Sequence, residues 1–92
     1  MSLYTIDFTP IAIKTISKYK KSNPVQYKKL VKLLNELMEH PRTGLGHPEP
    51  LKAGNLTTYS RRISKNDRLI YDIYEEKVTV LVLTVEGHYY DK

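Results

Sequence analysis

The hydrophobic positions of this chain change period along its length, and each change marks an element. From Leu3 to Phe8 they alternate, with Tyr4, Ile6 and Phe8 on one side, which predicts a strand. Thr9-Pro10 then supplies a helix start, since threonine accepts a backbone N–H as N-cap and proline at the first helical position gives up a donor that has no partner there. Beyond it Ala12, Ile13, Ile16 and Tyr19 form an apolar stripe, with Lys14, Lys18, Lys20 and Lys21 in other directions. A second start follows at Ser22-Asn23-Pro24, with Asn23 as cap and Gln26 where a capping-box side chain sits. Tyr27, Leu30, Val31, Leu34, Leu37 and Met38 then follow the i, i+3, i+4, i+7 rule and predict a helix from about Pro24 to Glu39, stopped by Pro41. Two helices back to back make an αα-hairpin.

From Pro41 to Asn55 the sequence is rich in Pro and Gly and has no sustained period, which predicts a loop. Pro48 and Pro50 flank Glu49 and restrict the backbone on both sides of it. A carboxylate on a stiff loop suits chemistry; the plainer reading is a connector with an exposed glutamate. Alternation returns from Ser60 to Tyr74 in two runs joined by a polar turn, a β-hairpin. Glu75-Glu76 supplies another turn, and Lys77 to Val85 is a nearly continuous β-branched apolar run that reads as a central strand. The element order is therefore β-α-α-β-β-β.

Parity decides the hairpin register. A two-residue turn at Lys65-Asn66 would pair Ile63 with Arg68 and Arg62 with Leu69, mixing charge and core on both faces. A three-residue loop from Ser64 to Asn66, or a five-residue loop of the same parity, pairs Arg62 with Arg68 instead. One face then holds Tyr59, Ile63, Leu69, Tyr71 and Ile73 with Arg61 as its only charge, and the other holds Ser60, Arg62, Arg68, Ile70, Asp72 and Tyr74. This second register is the expected one. It puts Arg61 at the edge of the core with a carboxylate or solvent, and it asks Asn66 for the left-handed position such loops need.

Composition narrows the function. A chain of 92 residues predicts one domain spanning 1–92. Its net charge of +5 favours polyanionic partners, with solubility as the plainer explanation. The absence of cysteine excludes a disulfide frame and a cysteine-based zinc site. The first residues lack a basic signal-peptide start, and no apolar run reaches bilayer length, so the expectation is a soluble cytoplasmic protein without a membrane partner. The lysines between Lys14 and Lys32 offer a nucleic-acid face or a solvated helix surface. Two neighbouring arginines fit phosphate oxygens through their planar donor forks, unless Asp67, Asp72 or Glu49 neutralises them.

Three spaced stretches, GLGHPEPLK, YSRRISKNDRLIYDIY and a terminal HYY, resemble the YoeB/Txe branch of the RelE superfamily of toxin–antitoxin toxins. The likeness covers Gly44 to Tyr89, while the first half agrees in its β-α-α pattern. It implies an α+β, RelE-like fold: a mainly antiparallel twisted sheet packed against the N-terminal αα-hairpin. It also implies a ribosome-dependent mRNA endoribonuclease, without metal or cofactor, held inactive by an acidic antitoxin of the YefM/Axe kind. On the resemblance Glu49 stands as general base, Arg68 as the phosphate-stabilising arginine and His88 as general acid. Arg62, Tyr89 and Lys52 stand as substrate-binding residues.

The chain departs from its likeness in two places. Relatives stop at His-Tyr, whereas Tyr90-Asp91-Lys92 follow here and leave open which tyrosine faces substrate; and Tyr59 stands where relatives carry tryptophan. His40 and His47 match no catalytic position and read as a helix-end and a loop residue. A RelE-like module that binds RNA or protein without cutting is the alternative, and whether the chain forms a homodimer is open. Binding alone needs arginines, but neither a carboxylate base nor a histidine acid.

Overall fold

In the computed structural model, residues 3–44, 46, 48–50, 58–65 and 67–87 are described, with the side chains of 86 and 87 excepted. The order is β1 (Thr5–Phe8), α1 (Pro10–Ser22), α2 (Pro24–Glu39), β2 (Glu49–Pro50), β3 (Thr58–Arg62), β4 (Asp67–Tyr74), a 3₁₀ turn (Glu75–Lys77) and β5 (Thr79–Gly87). The strands form one five-stranded sheet in the order β1-β5-β4-β3-β2. Among the described strands β1 and β5 run parallel, and the other pairs are antiparallel.

Both helix starts form as the sequence indicates. The Thr9 hydroxyl accepts from the Ala12 N–H at 3.1 Å and donates to the Leu83 carbonyl at 2.6 Å, so the cap of α1 also ties it to β5. Asn23 caps α2 by accepting from the Gln26 N–H at 3.3 Å. The capping box does not close, because the Gln26 side chain reaches the Asp67 carboxylate at 2.7 Å instead. A half-buried carboxylate oxygen beside the hairpin turn is a stronger attraction than an N-cap amide open to water.

The core lies between the helices and one face of the sheet. Ala12, Leu30, Leu33 and Leu37 pack against Leu69, Tyr71, Ile73, Val80, Val82 and Val85. Each buried aliphatic side chain contributes about 2 kcal/mol through apolar area removed from water. The helix-one stripe is narrower than its pattern suggests: Ile13 is 54% exposed, while Ile16 and Tyr19 pack at the margin of the core. In α2 the fully committed positions are Leu30, Leu33 and Leu37, and Leu33 falls outside the apolar set expected from spacing. Phe8 is 36% exposed at the end of β1, whereas Tyr4 and Ile6 pack against the core.

The hairpin adopts the register that parity required. Arg62 pairs with Arg68, Arg61 with Leu69 and Ser60 with Ile70. The Ile63 and Ser64 N–H groups both donate to the Asp67 carbonyl, at 2.9 and 3.3 Å, closing a three-residue loop. Asn66, the expected left-handed residue of that loop, lies outside the described residues. The loop expected from Pro41 to Asn55 contains a short strand, for Glu49 and Pro50 pair with Ser60 and Tyr59. A proline is tolerated there because β2 is the edge of the sheet. The last turn closes through Val78, a β-branched residue in the left-handed region with φ of 48° and ψ of 50°.

Candidate active site on the sheet face away from the helices

Because side chains alternate along a strand, the register fixes which residues share the face opposite the core. Ser60 and Arg62 of β3 lie on it, with Ile70 and Arg68 opposite them on β4 and Thr84 beyond on β5. Glu49 joins from β2, directly opposite Ser60. Directly opposed side chains leave the backbone about 5 Å apart and diagonal ones about 7–8 Å apart. Arg62 and Arg68 are thus immediate neighbours, and Glu49 is diagonal to Arg62. Glu49 and Arg62 are exposed and Arg68 is half-buried, while Ser60 and Ile70 beside them are closed off from solvent. The cationic end of the face is the accessible end.

Two of the acidic residues expected as partners of these arginines, Asp67 and Asp72, have hydrogen-bond partners of their own. Asp72 accepts a short hydrogen bond from Thr58 and another from the Tyr74 hydroxyl at 3.3 Å. Asp67 accepts from Gln26 at 2.7 Å and from the Ser64 hydroxyl at 3.1 Å. Burial, reinforced by Asp67, pushes the nearby Tyr19 hydroxyl up to about 12. Asp67 therefore acts as a clasp between α2 and the hairpin turn, holding its neighbour Arg68 at the start of β4.

The third hairpin arginine has a structural task. Arg61 is 0% exposed, so the edge position expected for it is corrected to full burial; the expected carboxylate partner is present. Its Nη1 donates to Glu36 Oε1 at 3.1 Å and its Nε to the Tyr71 hydroxyl at 3.0 Å. Its Nη2 donates to the carbonyls of His40 and Thr43, the latter at 2.7 Å. Tyr71 in turn donates to the Pro41 carbonyl at 2.7 Å, and burial raises its pKa against the opposing pull of Arg61. A buried guanidinium is tolerated only when its charge and its donors are both matched, which this arrangement achieves.

Two glycines fasten the following loop to the same strand. Gly44 has φ of +107°, and the Glu36 carboxylate occupies the space a side chain would need. Gly46 has φ of +81°, and a Cβ there would lie 2.8 Å from the Arg62 carbonyl and 3.3 Å from the Arg61 Cβ. In this close approach the Arg62 N–H donates to the Gly46 carbonyl at 2.6 Å. The loop is thereby anchored three residues before Glu49. Sequence placed Tyr71 on the face of Arg61 and quoted Gly44 and Gly46 within a motif, but it did not find Glu36; the available signal was Arg61 itself, a lone charge among core positions that must find a carboxylate.

Among the site residues expected from sequence, Glu49, Arg62 and Arg68 come together on one face. Lys52, His88 and Tyr89 lie outside the described residues, as do His47 and Tyr90. His40 is the exposed C-cap of α2. Among the described residues there is no group of three or more His, Cys, Asp or Glu arranged to hold a metal ion. No described helix is long and apolar enough to cross a membrane.

A two-helix layer on a mostly antiparallel five-stranded sheet is the architecture of the RelE-type toxins. The likeness to solved structures bears this out: a YoeB/ParE toxin from Agrobacterium tumefaciens superposes with a TM-score of 0.84 at 26% identity, covering 92% of this chain and 99% of that one. A YoeB–YefM complex from Staphylococcus aureus gives a TM-score of 0.80 at 29% identity, over 94% of this chain and 98% of that one. In sequence, toxin YoeB of Synechocystis sp. is 30% identical over 91% of this chain and 95% of its own length. Toxin RelK of Mycobacterium tuberculosis is 32% identical over 84% and 91%. Residues 8–89 match the family described as YoeB-like toxin of bacterial type II toxin-antitoxin system, and the chain belongs to that family.

Proposed function

We propose that this chain is a ribosome-dependent mRNA endoribonuclease. The observation that carries the reading is the register that sets Arg62 opposite Arg68 with Glu49 on the same face. Glu49 removes the proton from a ribose 2′-hydroxyl, whose oxygen attacks the adjacent phosphorus. The P–O5′ bond breaks, His88 protonates the departing 5′-oxygen, and a 2′,3′-cyclic phosphate remains. Arg62 and Arg68 offset the negative charge that gathers on the phosphoryl oxygens, an effect that each such donor can supply at about 10²-fold or more in rate. Lys52 adds a further cation and Tyr89 a ring against which an unpaired base can stack. Proton transfer by a positioned base and acid contributes about 10²–10⁴-fold, and none of these steps calls on a metal.

The inhibitor in this reading is an acidic antitoxin of the YefM kind, supported by the solved YoeB–YefM complexes among the structural relatives, and the setting is the cytoplasm, where ribosomes and mRNA are found. Self-association is supported by a relative described as a YoeB dimer. Incubation with translating ribosomes followed by mapping of mRNA 3′ ends tests the activity. Cuts that vanish in Glu49→Gln and His88→Gln proteins of unchanged fold are expected. Undiminished cutting by either variant removes that residue from the mechanism, and ribosome binding without any cut supports a non-catalytic module instead.

A further inference from the structure

The hairpin buries an arginine at a position where an apolar side chain would pack. Exchanging a buried ion pair for hydrophobic groups of like volume commonly leaves a fold as stable or more so, and stability alone therefore does not call for Arg61. What an aliphatic side chain cannot do is hold backbone carbonyls. Arg61 Nη2 donates to the carbonyls of His40 and Thr43. Tyr71, whose hydroxyl accepts from Arg61 Nε at 3.0 Å, donates to the Pro41 carbonyl at 2.7 Å. Residues 40–43 belong to no helix or strand, so these carbonyls have no ladder to satisfy them. Two side chains of the hairpin thus set the course of the chain as it leaves α2.

That course leads to Glu49. The Gly46 carbonyl accepts from the Arg62 N–H at 2.6 Å, and Glu49 and Pro50 then pair with Ser60 and Tyr59. Such a pairing is weak support for a reacting group, because a two-residue strand offers few ladder hydrogen bonds and Pro50 has no N–H to give. Tyr59 is itself stacked on Tyr71, with ring centroids 6.1 Å apart and planes at 21°. Tyr71 therefore supports the segment before Glu49 through its hydroxyl and the strand after it through its ring. Because the Glu49 side chain is exposed, its placement depends on the backbone that carries it. We infer that Arg61 and Tyr71 are positioning residues for RNA cleavage: from the helix side of the sheet they fix the chain at His40, Pro41 and Thr43, and so hold Glu49 in reach of the phosphate bound by Arg62 and Arg68 on the other side. The inference rests on the ribonuclease reading. It gives the adjacent arginines of β3 separate tasks, Arg62 toward the phosphate and Arg61 toward the proton acceptor.

The test is single-turnover cleavage of mRNA on translating ribosomes by the whole chain, which yields the saturating rate and the half-saturating concentration separately. Tyr71→Phe is the principal variant, since it removes one hydroxyl and leaves the ring and every charge in place. Arg61→Lys is the second, keeping the charge beside Glu36 and giving up the fork. Ile73→Val, a core change that touches none of these hydrogen bonds, controls for lost stability. All are assayed below their melting temperatures. A displacement of about 1 Å at a reacting group can cost about 10²-fold, so both positioning variants should lower the saturating rate about tenfold or more. Their half-saturating concentration should stay within about twofold, and the Ile73→Val protein should match the natural chain in both. Combined with Glu49→Asp, which already shortens the reach of the carboxylate, Tyr71→Phe should lose clearly less than the product of the two single effects. An unchanged saturating rate in Tyr71→Phe, or losses that simply multiply with Glu49→Asp, overturns the inference and leaves the ribonuclease reading standing. An equal loss in Ile73→Val also overturns it, by making stability the cause. Failure of the unaltered chain to cut at all overturns the reading beneath it as well.

Discussion

Arg62 faces Arg68 directly across β3 and β4, a like-charge pair at a position where most sheets place opposite charges or apolar groups. Such a juxtaposition costs about 0.2–1 kcal/mol, which under the proposed function an RNA phosphate bridging the two would offset.

Arg62→Gln should therefore separate stability from activity. Its melting temperature is expected to rise by about 1–5 °C, from the relieved repulsion in a chain of this size. RNA cleavage should fall by about tenfold or more. Calorimetry alongside a cleavage assay checks both; a lower melting temperature would show that Arg62 is held by attraction.

Arg61 should behave in the opposite way although it is the adjacent residue. Arg61→Met strands the Glu36 carboxylate, the Tyr71 hydroxyl and two carbonyls, and should cost about 3–5 kcal/mol. Arg61→Lys should recover only part of this, because an ammonium cannot reach acceptors on three sides at once. Urea denaturation distinguishes them, and a loss below about 1 kcal/mol for the methionine variant would contradict the network.

Much of this arrangement could be read from the sequence, and the hairpin shows why. Burial of one face forces parity, so Tyr59, Leu69, Tyr71 and Ile73 sufficed to place Arg62 against Arg68 before any coordinates. What parity cannot give is the partner of a buried charge, since Glu36 and the carbonyls of His40 and Thr43 are 18–25 residues from Arg61 in sequence. Strand β2 was illegible for a related reason: two residues carry no period, and Glu49-Pro50 is a strand only because Ser60 and Tyr59 are there to pair with it. Gln26 was misread because a local motif competes with a distant carboxylate that local pattern does not reveal. The acid expected at His88 lies outside the described residues, so sequence remains its support.

Val78 offers a stabilising change. A β-branched residue in the left-handed region pays a backbone penalty of about 1–2 kcal/mol that asparagine or glycine largely escapes. Val78→Asn should raise the urea midpoint by the equivalent of about 0.5–1 kcal/mol after lost side-chain packing. An unchanged or lower midpoint would mean that the packing of Val78 outweighs its backbone conformation.

The same turn carries a pH-sensitive contact. The Glu75 carboxylate accepts from the Tyr4 hydroxyl at 2.7 Å and pairs with Arg42, and these hydrogen bonds, Tyr4 first, hold its pKa below the usual 4.5. A depressed carboxylate stabilises the fold above its unfolded pKa, and that contribution disappears as pH falls through the lower folded value. The stability difference between the natural chain and Glu75→Gln should therefore be present near pH 6 and shrink below about pH 4. A difference that stays constant across that range would show that the carboxylate is not the source.

The parallel contact between β1 and β5 has a temporal consequence. Thr5 pairs with Thr79 and Phe8 with Val82, so among the described residues the first strand finds its one sheet neighbour more than seventy positions later. An emerging polypeptide can form α1 and α2 early, but it cannot complete the sheet until β5 arrives. Contacts this distant along the chain place folding in the range of milliseconds to seconds. Stopped-flow refolding should be correspondingly slow, and chains truncated before Thr79 should fail to acquire the native sheet, so that under the proposed function a partly synthesised molecule would carry no activity.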